Sequence, residues 1–144
     1  MHLIDFLYYV TLSVLSIKII IHDIRYMMIE DGILVCMIIL HILYMQYYEV
    51  SMITNIFQSF IVFLMLTFLR HVMNYIHKKD MLGFGDIKLL SVMTFILSIE
   101  SIPYILFFSS FSALLWMILF RVRKIPFAPS IMISTFGLLI WPYL

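Results

Sequence analysis

Six apolar stretches, each separated from the next by a short polar linker, constrain the fold of this chain more than any other feature. They cover residues 4–22, 32–48, 53–70, 86–99, 103–120 and 127–143. A helix needs about 20 mostly apolar residues to cross a bilayer, with a range of about 17–25, and only the fourth stretch is clearly shorter. The sequence therefore predicts an all-α polytopic membrane protein with six transmembrane helices.

The composition agrees with a lipid environment. Hydrophobic residues make up 65% of the 144 and charged residues 12%, whereas a typical soluble domain has about a quarter charged residues. No polar stretch is long enough to form a separate soluble domain, and we find no internal repeat. We expect a single transmembrane domain over residues 1–144, with the lipid bilayer as its surroundings.

Charge and cysteine content exclude several classes of function. The net charge of +1 gives no electrostatic footprint for nucleic acid. Cys36 is the only cysteine, which rules out an internal disulfide and a zinc ribbon. We expect no metal and no other cofactor. The N-terminus lacks the basic region and cleavage site of a signal peptide, so the first apolar stretch is expected to remain as a helix.

The basic residues predict an orientation, because lysine and arginine favour cytoplasmic loops. The second and fourth linkers carry none, whereas the odd linkers do. With six spans, this alternation places the odd linkers in the cytoplasm and both termini outside the cytoplasmic membrane. The basic residues at the odd linkers are Arg25, then Arg70, Lys78 and Lys79, and finally Arg121, Arg123 and Lys124.

Two acidic residues stand out because ionisable groups at membrane depth are costly and point to function. Asp23 ends the first predicted helix and Asp86 begins the fourth, both at the cytoplasmic side. Packing these helices side by side would bring the carboxyl groups together, so that one pKa rises and the pair shares a proton, as in aspartic proteases. The alternative is two separate helix-end acids. We interpret the remaining acids as solvated loop charges: Asp5, Glu30, Asp31, Glu49, Asp80 and Glu100.

Two of the four glycines, Gly83 and Gly85, directly precede Asp86. Without a β-carbon, the backbone there can adopt positive φ or allow another segment to approach closely. The alternative is an ordinary loop-to-helix turn capped by the aspartate.

Three short motifs lie on the predicted cytoplasmic side. They are Gly83-Phe84-Gly85-Asp86-Ile87-Lys88-Leu89-Leu90, Asp23-Ile24-Arg25 with Ile29, and Ile125-Pro126-Phe127-Ala128-Pro129. They resemble motifs of the type IV prepilin peptidases, which belong to the GxGD group of membrane aspartyl proteases. The first is similar to the signature GxGDxKLL. The second resembles an Asp followed by Arg and then Ile-Pro, although Glu30 stands in place of the proline. The third resembles Ile-Pro-Phe-Gly-Pro, with alanine in place of the glycine.

The resemblance implies that Asp23 and Asp86 are the catalytic pair of a GxGD aspartyl protease. The substrate would be a type IV prepilin or pilin-like precursor with a short basic leader and an apolar helix. Cleavage would occur just before that helix, at the cytoplasmic membrane face. The cleaved subunits would be used in pilus assembly, competence or protein secretion. The resemblance assigns the substrate-binding segment to Gly83, Phe84, Gly85, Lys88, Pro126 and Pro129.

Other interpretations of the same residues stay open. Lys88 either contacts a substrate or lipid phosphate, or extends its amine to the interface. Pro126 and Pro129 suit the first turn of a helix without any catalytic role. Larger relatives also methylate the new N-terminus and carry two CxxC pairs, which this chain lacks, so methyltransferase activity is doubtful. The competing functions are a signal-peptide- or presenilin-type intramembrane protease, and a small proton or cation transporter subunit using Asp23 and Asp86.

Overall fold

A computed structural model describes residues 3–78, 82–120 and 126–140. Within these ranges the chain forms six α-helices and a 3-10 turn, with no strand, so the all-α class is confirmed. Asp80, Lys79 and the basic residues of the fifth linker lie outside the described residues. The helices are α1 (Leu3–Tyr26), α2 (Asp31–Tyr47), α3 (Ile53–His77), α4 (Phe84–Leu97), α5 (Ile102–Phe120) and α6 (Ala128–Ile140), and the 3-10 turn Ile99–Ser101 precedes α5.

Three segments are long and apolar enough to cross a membrane: Leu3–Tyr26, Ile53–His77 and Ile99–Leu119. The first two extend further than the apolar pattern indicates. Arg25 therefore lies in the last turn of α1, and Arg70 lies within α3, rather than in or beside linkers as predicted. The difference arises because a long basic side chain is compatible with a helix end near the interface.

The short helix α4 occupies the centre of the bundle. It packs against α2, α3 and α6, while α1 packs on α2 and α6, and α5 packs on α6. Every residue from Leu89 to Ile96 is buried, as expected for a helix that is apolar on all sides. The surrounding helices instead expose large apolar side chains such as Phe60, Phe68 and Phe107, which suits contact with lipid.

Several helices in the described part of the chain are followed by a residue with positive φ, and none of these residues is a glycine. They are Met27, Glu49, Lys78 and Ser98, with φ between 51° and 76°. Gly83, which precedes α4, has φ −62°. The prediction that Gly83 or Gly85 adopts positive φ is therefore wrong. The other explanation, close approach of another segment, remains.

A polar cluster joins α1 to α2 at the end of the bundle opposite Asp23. The hydroxyl groups of Tyr44 and Tyr48 both donate to Oδ1 of Asp5. The Tyr8 hydroxyl lies 2.8 Å from Nδ1 of His41, and both side chains are buried. Asp5 is thus a hydrogen-bonded residue of the first turn of α1, and its interpretation as a solvated loop charge is wrong.

Candidate active site

Asp23 and Asp86 line the same cavity, which has a volume of about 400 Å³. All three motifs contribute to its wall, together with the linker between α1 and α2. The predicted site residues Gly83, Phe84, Gly85, Lys88 and Pro126 are therefore brought together. The residues lining the cavity are Asp23, Met27, Met28, Ile29, Asp31, Gly83, Phe84, Gly85, Asp86, Lys88, Pro126 and Phe127.

The two acids line one cavity although α1 and α4 are not packed along each other. Asp23 is in the last turn of α1 and Asp86 is in the first turn of α4, and α2 and α6 each contact both helices. Side-by-side packing of the first and fourth helices, the arrangement considered for bringing the acids together, is therefore not what places them in one cavity. Placing α4 at the centre of the bundle accounts for the shared cavity, because both acids lie at the same end of it.

Asp23 is 5% exposed and is tied to the last helix of the bundle. Its Oδ2 atom accepts a hydrogen bond of 3.0 Å from the backbone N–H of Ala128, the first residue of α6. The first N–H groups of a helix have no partner within the helix and favour a neighbouring negative charge. Asp23 therefore caps α6 while facing the cavity.

The two glycines before Asp86 allow close approach, and each accommodates a different neighbour. A β-carbon at Gly83 would lie 2.7 Å from Oδ2 of Asp86, which is closer than real β-carbon contacts. A β-carbon at Gly85 would lie 3.3 Å from the side chain of Ile29, in the linker after α1. The first glycine thus makes room for the carboxyl group itself, and the second lets the linker close over the start of α4.

Lys88 pairs with an acid that the sequence did not single out. Its Nζ atom lies 2.8 Å from both carboxylate oxygens of Asp31, in the first turn of α2. Two cations also lie over the Phe84 ring. The Nζ atom of Lys88 is 5.0 Å from the ring centroid and the guanidinium carbon of Arg70 is 5.3 Å from the same centroid, and both distances are within cation–π range. Asp31 is therefore an ion-pair partner at the cavity and the first residue of α2 rather than a loop residue, while its side chain stays exposed to solvent as predicted.

The remaining predicted residues are placed less centrally. Pro129 is the second residue of α6 and, among the described residues, is not part of the cavity wall, whereas Phe127 beside Pro126 is. His22 lies next to Asp23, and its Nδ1 atom is 2.8 Å from the backbone oxygen of Met28. This contact joins the end of α1 to the linker that lines the cavity.

This arrangement suits proton-transfer chemistry. Two carboxyl groups in one partly enclosed cavity can act as general base and general acid on a water molecule and a substrate carbonyl. Within the described ranges, no group of three or more His, Cys, Asp or Glu side chains is arranged to hold a metal ion.

Comparison with known proteins gives one family match. The model of the type IV leader peptidase family matches residues 9–118, a range that includes Asp23, Asp86 and the segment between them. No curated protein and no solved structure matches the chain. Three long apolar helices together with this family indicate a membrane protein with protease activity. The chain belongs to the type IV leader peptidase family.

Proposed function

We propose that this protein is a prepilin leader peptidase that uses Asp23 and Asp86 as a catalytic aspartyl pair. Its substrate is a type IV prepilin or pilin-like precursor, cut between a short basic leader and an apolar helix. The observation that carries the proposal is the shared cavity, because it unites both acids with residues of all three motifs.

In this proposal the carboxyl pair holds one proton between its two members. The ionised member takes a proton from a water molecule, which attacks the scissile carbonyl, and the neutral member donates a proton to the carbonyl oxygen. The Ala128 amide orients the Asp23 carboxylate. The cavity beside the two acids provides the space for the scissile segment of the substrate, and Gly83 leaves room for the Asp86 carboxyl group at the cavity wall.

Cleavage of a synthetic precursor tests this function directly. A suitable precursor has a lysine-rich leader, a glycine and about 20 apolar residues, the length of one membrane-spanning helix. We expect the purified protein in detergent to release the intact leader, detected by mass spectrometry. A transporter subunit would leave the precursor whole, and an intramembrane protease of the presenilin type would cut inside the apolar helix.

We further propose that residues 1–144 form one GxGD peptidase domain of the cytoplasmic membrane, with all six helices inserted and both termini outside. Asp23 and Asp86 lie at one end of the bundle, and the Asp5 cluster lies at the other. In the proposed orientation the first of these ends faces the cytoplasm, where a precursor carries its basic leader before export.

Thiol labelling checks this orientation. In a Cys36→Ser background, we expect Lys79→Cys and Arg123→Cys to be shielded from an impermeant thiol reagent added to intact cells. Glu49→Cys, in the turn after α2, should be labelled, because that turn faces outward. Labelling of the first two variants with protection of the third would reverse the proposed orientation.

A further inference from the structure

An apolar groove with a volume of about 630 Å³ runs between α2 and α3. Its floor is α4, where Val92 and Phe95 are buried, and its walls carry the half-exposed side chains Val35, Ile56 and Phe60. The lining residues are Asp31, Leu34, Val35, Ile38, Ile42, Ile56, Ser59, Phe60, Phe63, Lys88, Ser91, Val92 and Phe95. Apart from the Asp31–Lys88 ion pair and two serines, the groove is apolar.

The groove adjoins the cavity that holds the two acids. Asp31 and Lys88 line both of them, so their ion pair stands at the junction. Two other apolar depressions in the described part of the chain, one between α1 and α2 and one on α5, share no lining residue with that cavity. Its position next to the acids therefore distinguishes this groove from surfaces that only contact lipid.

The length and direction of the groove also fit an apolar helix. Along α2 its wall reaches from Asp31 to Ile42, which is about 16 Å at a rise of 1.5 Å per residue. It therefore leads away from the acids, parallel to the helices and towards the middle of the bundle. A helix of about three turns has the matching length.

We propose that this groove seats the apolar helix of the precursor, on the C-terminal side of the scissile bond. This inference rests on the proposed function and adds the place where the uncut part of the substrate binds. The basic leader lies at the polar end beside the acids, the bond lies in the cavity, and the chain passes the Asp31–Lys88 pair into the groove. Packing against the walls, rather than water exclusion, provides the attraction, because the alternative surroundings are lipid.

Filling the groove tests the proposal with a matched control. Val35 lines the groove and Val14 lines the depression between α1 and α2, and the two valines are 51% and 50% exposed. We expect Val35→Trp to lower kcat/KM for the synthetic precursor at least tenfold, equivalent to about 1.4 kcal/mol, and Val14→Trp to leave it unchanged. A soluble peptide that spans the cleavage site but lacks the apolar helix should be cut equally by both variants and the wild type.

Two outcomes of this comparison would overturn the proposal. One is equal cleavage of the precursor by Val35→Trp and Val14→Trp. The other is an equal loss by Val35→Trp on the precursor and the short peptide, since that would place the damage at the acids rather than in the groove.

Photo-crosslinking supplies a readout that does not depend on turnover. A precursor with a photoreactive residue in its apolar helix is incubated with the Asp23→Asn, Asp86→Asn double variant in lipid nanodiscs. We expect adducts on the α2 and α3 walls of the groove. Adducts spread equally over the groove and the two other apolar depressions would show that lipid, rather than the precursor, fills the groove. If the wild type leaves the precursor intact but the groove is still labelled, the proposed function fails and the binding site stands.

Discussion

Replacing either aspartate of the pair by asparagine is expected to reduce precursor cleavage at least about a thousandfold, in line with the loss of acid–base catalysis. An amide has the size of the carboxyl group and can still accept the hydrogen bond from Ala128, but it cannot exchange a proton with water or substrate. Asp23→Asn and Asp86→Asn should therefore fold and insert normally. Initial rates of leader release from the synthetic precursor measure the effect.

In the proposed catalytic pair the two acids act as one unit, so the double variant should be scarcely slower than either single variant. Glu49→Gln is the matched acid-to-amide control, since Glu49 is exposed in the turn at the other end of the bundle. It should retain wild-type activity. Substantial turnover by either single asparagine variant would refute the catalytic pair. The protein would then be better interpreted as a proton or cation transporter subunit.

Gly83→Ala is expected to lower kcat about a hundredfold, the size of effect that a displacement of about 1 Å has at a catalytic group. The added β-carbon would lie 2.7 Å from Oδ2 of Asp86, so the carboxyl group must rotate away. That atom is the end of a side chain, and the rotation costs the fold little. We therefore expect a thermal unfolding temperature close to that of the wild type, with the loss confined to cleavage.

Gly137→Ala is the control for this substitution. Gly137 lies in α6, and a β-carbon there would meet nothing within 4 Å, so activity and stability should be retained. Wild-type activity of Gly83→Ala would show that the position of the Asp86 carboxyl group next to Gly83 does not matter for cleavage.

The helices could be predicted from the sequence because long apolar stretches with polar interruptions carry a strong local signal. The predicted ends of the helices are less accurate. The apolar pattern predicts that the third helix ends at Arg70, whereas α3 continues to His77. The packing of α4 in the centre was missed. Its uniformly apolar sequence predicts burial, but the pattern does not say which neighbours provide it.

The candidate site was predicted only in part, for a physical reason. Asp23, Asp86 and the glycines stand in short motifs, whereas the contacts that position them are between distant segments. Lys88 and Asp31 are 57 residues apart, and Asp23 and Ala128 are 105 residues apart. No periodicity or spacing in one sequence indicates such pairs. The role of Gly83 also depends on where the Asp86 side chain turns, which the motif alone does not specify.

The bond between Asp23 and Ala128 has a consequence for biosynthesis. It joins α1 to α6, and the family match ends at residue 118, before α6 begins. During translation, Asp23 is made early, but its amide donor and the Pro126–Phe127 part of the cavity wall are made only about 100 residues later. A nascent chain that has reached α5 therefore carries both acids before the Ala128 amide and this part of the cavity wall are in place.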